Sequence, residues 1–212
     1  MIRLTTLLIL LVATLTACQS PPSQTQMPLH VYIVHGYAAS PSDHWFPWLK
    51  EALESRGATV SILNLPTSNN PQTDEWQQAL EAQVTKLDSQ TYFIGHSLGC
   101  IALLRYLDNN KHTSNIGGYI LVSGFNASLP ILPQLDHFIT PDINYPKLVE
   151  IAQHRVVIAA SNDPAVPISL SKDLAEVLGA EFIEVAGGGH FLGSDGYTSF
   201  PLLLETLERF SK

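Results

Sequence analysis

Cysteine is scarce in this chain: its 212 residues include two, at positions 18 and 100. The chain can therefore form at most one internal disulfide. The sequence lacks both paired cysteines and the H-E-x-x-H pattern of zinc enzymes, and its eight histidines are scattered singly. We therefore expect no metal site.

Basic side chains are also few. Lys and Arg together number 11, against 19 Asp and Glu, which gives a formal net charge of -8. An acidic chain is a poor match for the phosphates of nucleic acids or for anionic lipid headgroups. The composition therefore argues against a nucleic-acid-binding protein. Nothing in the sequence indicates a protein partner.

Long apolar runs are missing except at the front of the chain. Residues Leu4–Leu15 follow the basic Arg3 and are too few to cross a membrane comfortably. The sequence Ala17-Cys18 then resembles the cleavage site of bacterial lipoproteins. We predict a lipoprotein signal peptide over residues 1–17 and a lipid anchor on Cys18. An ordinary secretory signal or an uncleaved anchor is the alternative.

The next segment, residues 18–29, is polar and bears prolines, so it is typical of a tether. In an extended form it would reach ~30 Å from the anchor to a domain over residues 30–212. Gln19 follows the cysteine, and in this the sequence resembles lipoproteins that enteric-type bacteria sort to the outer membrane. We therefore expect an outer-membrane lipoprotein that faces the periplasm. Cys100 would then be a buried thiol. Without lipidation, a disulfide between Cys18 and Cys100 is the alternative.

Strand-like and helix-like segments alternate from residue 30 onward. This pattern predicts one α/β domain with about six mainly parallel strands and flanking helices. Asp43 is the predicted N-cap of the first helix, which should stop at Gly57. The weakly patterned segment Phe125–His154 is too short for a multi-helix cap. A partial lid and a surface connection with one or two short helices both stay open.

The segment Gly95–Gly99 reads Gly-His-Ser-Leu-Gly, a G-x-S-x-G pattern. An apolar β-type run (92–94) precedes it and a helix-forming run (101–104) follows. Strand, sharp turn and helix are the context of a nucleophile elbow, in which the turn lifts the serine hydroxyl above the sheet. We predict that Ser97 is a nucleophile. The alternative is a serine in an ordinary glycine-flanked turn.

A serine nucleophile needs a base, which in this fold class follows it in the order serine, acid, histidine. His190 lies in a glycine-rich loop just after a short apolar strand, and it is the predicted base. His112 follows a polar helix end, while His137 and His154 are expected before the fifth strand, too early in the order. A polar histidine on a surface loop is the alternative for His190.

The predicted acid is Asp163. It follows the apolar run 156–161, which is typical of a buried parallel strand, and ligand-facing residues sit at the carboxyl ends of such strands. A carboxylate there can accept the Nδ1 proton of the base. The alternative is a local turn with Pro164. Asp136 and Asp142 are rivals within the irregular segment, and Asp195 comes too late in the order.

Acyl transfer also needs hydrogen-bond donors for the developing oxyanion. The backbone N–H of Leu98 is one expected donor. The other is the N–H of Tyr37, which follows the predicted first strand. Three further histidines are interpreted as structural rather than catalytic: His35, His44 and His96.

Taken together, these motifs resemble those of the YdeN-type serine hydrolases, small α/β-hydrolases related to the retinoblastoma-binding serine hydrolase of animals. The resemblance covers nearly all of the chain after residue 30. It implies a triad of Ser97, Asp163 and His190 and a compact fold without a large cap. The segments that carry it are residues 31–37, 43–49, 95–100, 162–167 and 189–191.

The sequence therefore predicts a serine hydrolase, in the first place a carboxylesterase for small acyl esters, that needs neither a metal nor an organic cofactor. Two alternatives stay open. One is a non-catalytic binding protein on a hydrolase scaffold, and the other is an amidase, peptidase or thioesterase with the same triad.

Overall fold

A computed structural model describes residues 29–110 and 115–210 of the chain. Within these residues six strands form one sheet in the order β2-β1-β3-β4-β5-β6, and every neighbouring pair is parallel. The prediction of about six mainly parallel strands is thus confirmed. The strands are His30–Val34 (β1), Thr59–Leu63 (β2), Thr91–His96 (β3), Ile116–Val122 (β4), Ala152–Ala160 (β5) and Glu181–Val185 (β6).

Helices cover both faces of the sheet and give it two cores. Side chains on one face, such as Phe93, pack with α2 to α5, and those on the other, such as Ile94, pack with α1 and α6. All residues of β3 and β4 are buried, which explains their apolar sequences without alternation. The helices are Phe46–Glu54 (α1), Thr73–Gln83 (α2), Leu98–Asn109 (α3), Tyr145–Ile151 (α4), Ile168–Val177 (α5) and Pro201–Phe210 (α6).

The predicted cap of the first helix is wrong. Helix α1 begins at Phe46, and Asp43 lies in the turn before it. The Asp43 carboxylate turns back and accepts hydrogen bonds from the backbone N–H of Ser40 at 2.7 Å and from its hydroxyl at 2.9 Å. Because the side chain is used in this turn, it does not cap the helix.

The fifth strand begins earlier than its apolar run. Strand β5 starts at Ala152, so His154 lies inside the strand and not before it. Residues 153–155 of this strand are polar, and the ring of His154 stacks on that of Phe210 with a centroid distance of 4.4 Å. The prediction placed the start of the strand at its continuous apolar run. Because polar residues precede that run within β5, the predicted start was too late.

The segment between β4 and β5 is a surface connection with two short helices, the 3-10 helix Pro133–Phe138 and α4. It is fixed to the body of the domain, because Phe138 is fully buried and its carbonyl accepts bonds from Arg105 Nε at 3.0 Å and Nη2 at 2.8 Å. Arg105 also donates to the carbonyl of Pro141 at 2.8 Å. The segment is therefore packed against α3.

Several predictions concern residues outside the described ranges: the signal peptide (1–17), lipidation of Cys18, most of the tether, and His112. No helix within residues 29–110 and 115–210 is long and apolar enough to cross a membrane. Within the described ranges, Cys100 is a buried free thiol on α3, and its Sγ lies 3.5 Å from the carbonyl oxygen of Val122.

Candidate active site

Ser97 occupies the sharp turn between β3 and α3. Its backbone has φ 53° and ψ −123°, a strained conformation for a residue with a side chain. A Cβ on Gly99 would lie 2.3 Å from the carbonyl oxygen of Val34, and one on Gly95 would lie 2.8 Å from Cα of Cys100. The glycines thus permit the close approach of α3 to the sheet, which leaves Ser97 at the carboxyl edge.

The side chain of His190 reaches Ser97 from the loop after β6. Its Nε2 lies 2.9 Å from Ser97 Oγ, and both residues are 9% exposed. Glycine at position 189 adopts φ +57°, a conformation that other residues rarely take. The glycine-rich loop therefore places the imidazole over the edge of the sheet.

Asp163 completes the constellation from the end of β5. Its Oδ2 and Oδ1 lie 2.8 and 3.0 Å from His190 Nδ1. Oδ1 also accepts the backbone N–H groups of Ala165 (2.8 Å) and Val166 (3.0 Å), so the local turn considered as an alternative exists as well. Among the described carboxylates, Asp163 alone bonds to the imidazole ring of His190. The carboxylate thus both closes its own turn and orients the histidine.

The charged form of Asp163 is favoured in this setting. Burial pushes its pKa upward, but the hydrogen bond and charge of His190 and the further donors outweigh burial. The net result is that the pKa of Asp163 lies below its ordinary value. The carboxylate is therefore ionised at neutral pH and can accept the Nδ1 proton.

The loop after β1 lies against the turn that holds Ser97. A Cβ on Gly36 would lie 3.0 Å from Cβ of Ser97 and 3.5 Å from the backbone nitrogen of Leu98. Within the described part of the chain, the N–H groups of Tyr37 and Leu98 donate to no other residue. Both predicted oxyanion donors are therefore free to bind a substrate atom.

The rival acids have other partners. Asp136 accepts a bond of 2.7 Å from the hydroxyl of Ser128. Asp195 accepts the backbone N–H groups of His190 and Leu192, both at 3.0 Å, so it shapes the loop of the histidine rather than contacting its ring. Residues 29–110 and 115–210 contain no group of three or more His, Cys, Asp or Glu side chains that could hold a metal ion.

The three histidines interpreted as structural all bind backbone groups. His35 Nδ1 donates to the carbonyl of Gly36 at 3.0 Å, and its Nε2 accepts the N–H of Leu65 at 3.2 Å. Burial lowers the pKa of His35 below its ordinary value. His44 and His96 contact the loop of His190, through Gly193 N–H and the His190 carbonyl respectively.

Sequence reasoning missed Ser123, which is fully buried at the end of β4. Its hydroxyl donates to Asp163 Oδ2 at 2.8 Å. The available signal was its position, because the residue after β4 shares the carboxyl edge of the sheet with the residues after β3 and β5. The role of Asp195 was missed for a different reason: a bond to backbone N–H groups leaves no motif.

Residues 31–209 match the serine hydrolase family. The chain is a serine hydrolase family member. Within that family, the YdeN protein of Bacillus subtilis strain 168 is 45% identical over 184 residues, which cover 87% of this chain and 97% of that protein. The serine hydrolase RBBP9 of Rattus norvegicus is 24% identical over 153 residues, 71% of this chain and 80% of that protein.

Two solved structures share the fold of this chain. The crystal structure of the ydeN gene product from B. subtilis superposes with a TM-score of 0.84 at 44% identity, covering 86% of this chain and 98% of that one. A structure from a study of carboxylesterases of Nitrososphaera gargenis shares the fold alone, with a TM-score of 0.64 at 13% identity and coverage of 91% and 98%. This serine hydrolase therefore has the predicted α/β-hydrolase fold.

Proposed function

We propose that this serine hydrolase is a carboxylesterase that cleaves small acyl esters with Ser97, Asp163 and His190 as its triad. The observation that supports the proposal is the continuous chain of hydrogen bonds from Ser97 Oγ through both nitrogens of the His190 ring to Asp163. A nucleophile bonded to a base that is itself held by an acid is the arrangement that serine hydrolysis requires.

In the acylation step, Ser97 Oγ attacks the ester carbonyl carbon while its proton passes to His190 Nε2. The carbonyl oxygen becomes an oxyanion, which accepts hydrogen bonds from the N–H groups of Tyr37 and Leu98. When the intermediate collapses, His190 gives its proton to the departing alkoxide, and the acyl group stays on Ser97.

Deacylation repeats these steps with water. His190 takes a proton from the water as the water attacks the acyl carbon, and it returns the proton to Ser97 Oγ as the acid leaves. Throughout, Asp163 accepts the Nδ1 proton and stabilises the imidazolium. The low pKa of Asp163 suits this task, because the carboxylate stays ionised when the histidine gains its proton.

A catalytic role is favoured over that of a non-catalytic binding protein by the strained backbone of Ser97 and its 2.9 Å contact with the base. Backbone strain of this kind clusters at active sites. Amidases, peptidases and thioesterases use the same triad. The proposed preference for esters is therefore tested by comparing ester, thioester and amide substrates.

The triad is tested by substitution. Ser97→Ala should abolish labelling by a fluorophosphonate. Its residual ester turnover should be ~10³–10⁴-fold faster than the reaction in water, because substrate binding and the oxyanion donors remain. His190→Ala should fall to a similar level, and Asp163→Asn should also lose most activity. Asp136→Asn is the matched control and should leave turnover unchanged. Near-wild-type turnover by Ser97→Ala would refute the mechanism.

The substrate class is tested with p-nitrophenyl esters, a thioester and an amide. Because the β4–β5 segment is short and fixed to α3 by Arg105, we expect a shallow acyl site. Each buried methylene contributes about 0.8 kcal/mol only while the site can enclose it. The value of kcat/KM should therefore be highest from acetyl to butyryl esters. A steady rise through long acyl chains, or faster cleavage of the amide, would contradict this substrate assignment.

A further inference from the structure

His96 is a buried residue that no step of the proposed reaction uses. It ends β3, directly precedes Ser97 and has 1% of its surface exposed. Four aromatic or imidazole rings surround its own, with centroids 5.1 to 6.0 Å away. The ring cannot turn away without displacing this core, which consists of His44, Trp45, Phe46 and His190.

The hydrogen bond of His96 determines its tautomer. Its Nε2 lies 2.9 Å from the backbone carbonyl oxygen of His190. Because a carbonyl oxygen only accepts, Nε2 must carry the hydrogen. Nδ1 is buried without a hydrogen-bond partner among the described residues. A proton there would have no acceptor, so the ring is neutral.

The electrostatic setting maintains this neutral form. Burial is the main reason why the pKa of His96 lies well below its ordinary value, and the nearby rings of His190 and His44 lower it further. The bond to the His190 carbonyl and the charge of Asp163 act in the opposite direction but do not outweigh burial. At neutral pH, His96 is therefore uncharged and keeps a single donor, Nε2–H.

Other side chains also hold the loop of the base. Asn162 accepts the N–H of Gly189 at 2.9 Å, and His44 Nδ1 accepts the N–H of Gly193 at 3.0 Å. Asp195, within the same loop, accepts the N–H of His190 itself. Of these anchors in the described part of the chain, His96 alone belongs to β3, the strand that carries the nucleophile.

We propose that His96 is a positioning residue for the catalytic base: its Nε2–H fixes the main chain of His190 to the end of β3 and so sets the distance from Ser97 Oγ to His190 Nε2. This inference rests on the proposed function. A residue that served packing alone would need only the shape of the ring. A positioning residue must also donate the hydrogen bond, because without it the main chain of His190 could shift. A small displacement of a catalytic group lowers the reaction rate strongly.

The experiment compares His96→Gln with His96→Met. The two side chains have similar length, and only glutamine can place an N–H near the position of Nε2. Active sites are first counted by fluorophosphonate labelling, and the rate of acylation by p-nitrophenyl acetate is then measured per active site. We expect His96→Met to lower this rate about ten- to a hundred-fold with little change in KM, and His96→Gln to recover most of the loss.

Trp45→Phe is the matched control. Trp45 is fully buried beside His96, and its Nε1–H has no partner among the described residues, so the substitution perturbs the same core without removing a bond. It should leave the acylation rate per active site unchanged. Wild-type acylation by His96→Met would overturn the proposal, and so would an equal loss in His96→Gln and His96→Met.

A measurement on the wild-type protein keeps the proposal open to contradiction if His96→Met does not fold. The ¹⁵N NMR signals of the His96 ring should show the neutral Nε2–H tautomer across the pH range in which the protein is folded. An Nδ1–H tautomer, or protonation of His96 in that range, would overturn the proposal. This result does not depend on turnover, whereas a wild-type protein that fails to label with fluorophosphonate refutes the proposed function instead.

Discussion

At the scale of single residues, Ser123 stabilises the charge of the acid. Its backbone adopts φ 49°, and its buried hydroxyl donates to Asp163 Oδ2. A hydrogen bond to a carboxylate favours the ionised form, so it helps to hold the pKa of Asp163 below its ordinary value against the opposing effect of burial. Ser123 thereby links the end of β4 to the acid at the end of β5.

We predict that Ser123→Ala lowers the free energy of unfolding by about 1.5–3 kcal/mol at neutral pH, since a hydrogen bond to a charged group is lost. A carboxylate whose pKa is lowered by folding contributes stability above its unfolded pKa of about 3.9, and this is lost as the pH falls through the folded value. The difference between Ser123→Ala and wild type should therefore narrow below about pH 4. Denaturant titrations at several pH values measure it.

Ser128→Ala is the control for this experiment, because Ser128 makes the same kind of bond to Asp136 on the exposed surface. Its effect should stay below about 0.5 kcal/mol. A gap between Ser123→Ala and wild type that widens on acidification would contradict the role given to Ser123.

The sequence predicted the site residues that belong to a recognisable motif. It did not predict the roles of residues that hold those side chains or their loops in place. Ser97, Asp163 and His190 follow from the elbow pattern and the order of the chain, and the structure brings these three side chains together. His96 and Ser123 gave no comparable signal. Each contacts a residue far away in the sequence, and such contacts depend on how the strands and loops are packed.

At the scale of elements, the apolar runs located all six strands, while the ends of elements were less predictable. The start of β5 was missed because residues 153–155 interrupt its apolar sequence, and the cap of α1 was wrong because Asp43 bonds to Ser40 instead. Boundaries depend on local hydrogen bonds, whereas the interior of an element depends on burial, which the apolar pattern records.

Among the glycines at the site, Gly99 has the least room for a side chain, because it lies where α3 contacts the end of β1. A methyl group at Gly99 would lie 2.3 Å from the carbonyl oxygen of Val34 and 2.5 Å from that of His35. Backbone atoms cannot yield as a flexible side chain can, so α3 would have to move. We predict that Gly99→Ala lowers the free energy of unfolding by about 1–3 kcal/mol and reduces ester turnover, because Ser97 and Leu98 move with the helix.

Thermal unfolding and the acylation rate per active site measure the two effects. Gly193→Ala is the control, since the nearest atom to its added methyl group would be 3.8 Å away, and it should change stability by less than about 0.5 kcal/mol. Equal stability and activity of Gly99→Ala and wild type would show that the close approach of α3 to β1 is not needed.

At the scale of the whole molecule, the parallel sheet separates the entry of the chain from the site. All six strands point the same way, so the described chain enters at the amino end of β1, while Ser97, Asp163 and His190 lie beyond the carboxyl ends of β3, β5 and β6. A segment attached before residue 29 therefore starts at the edge opposite the site. If that segment is anchored in a membrane, it joins the domain at the edge opposite the site.

We propose that the protein is a lipoprotein anchored through Cys18 and facing the periplasm, as the front of the sequence predicts. Wild-type protein expressed in an enteric bacterium should then fractionate with outer membranes and incorporate labelled fatty acid. Cys18→Ala should abolish the labelling, while Cys100→Ala, which alters the buried thiol on α3, should retain it.

Because the site lies at the edge opposite residue 29, replacing residues 1–29 by a plain tag should leave kcat/KM for water-soluble esters unchanged. Wild-type protein found unlipidated in the soluble cytoplasm would refute the anchor. A tagged protein that lost activity while remaining folded would instead show that the tether takes part in the site, contrary to the separation that the parallel sheet imposes.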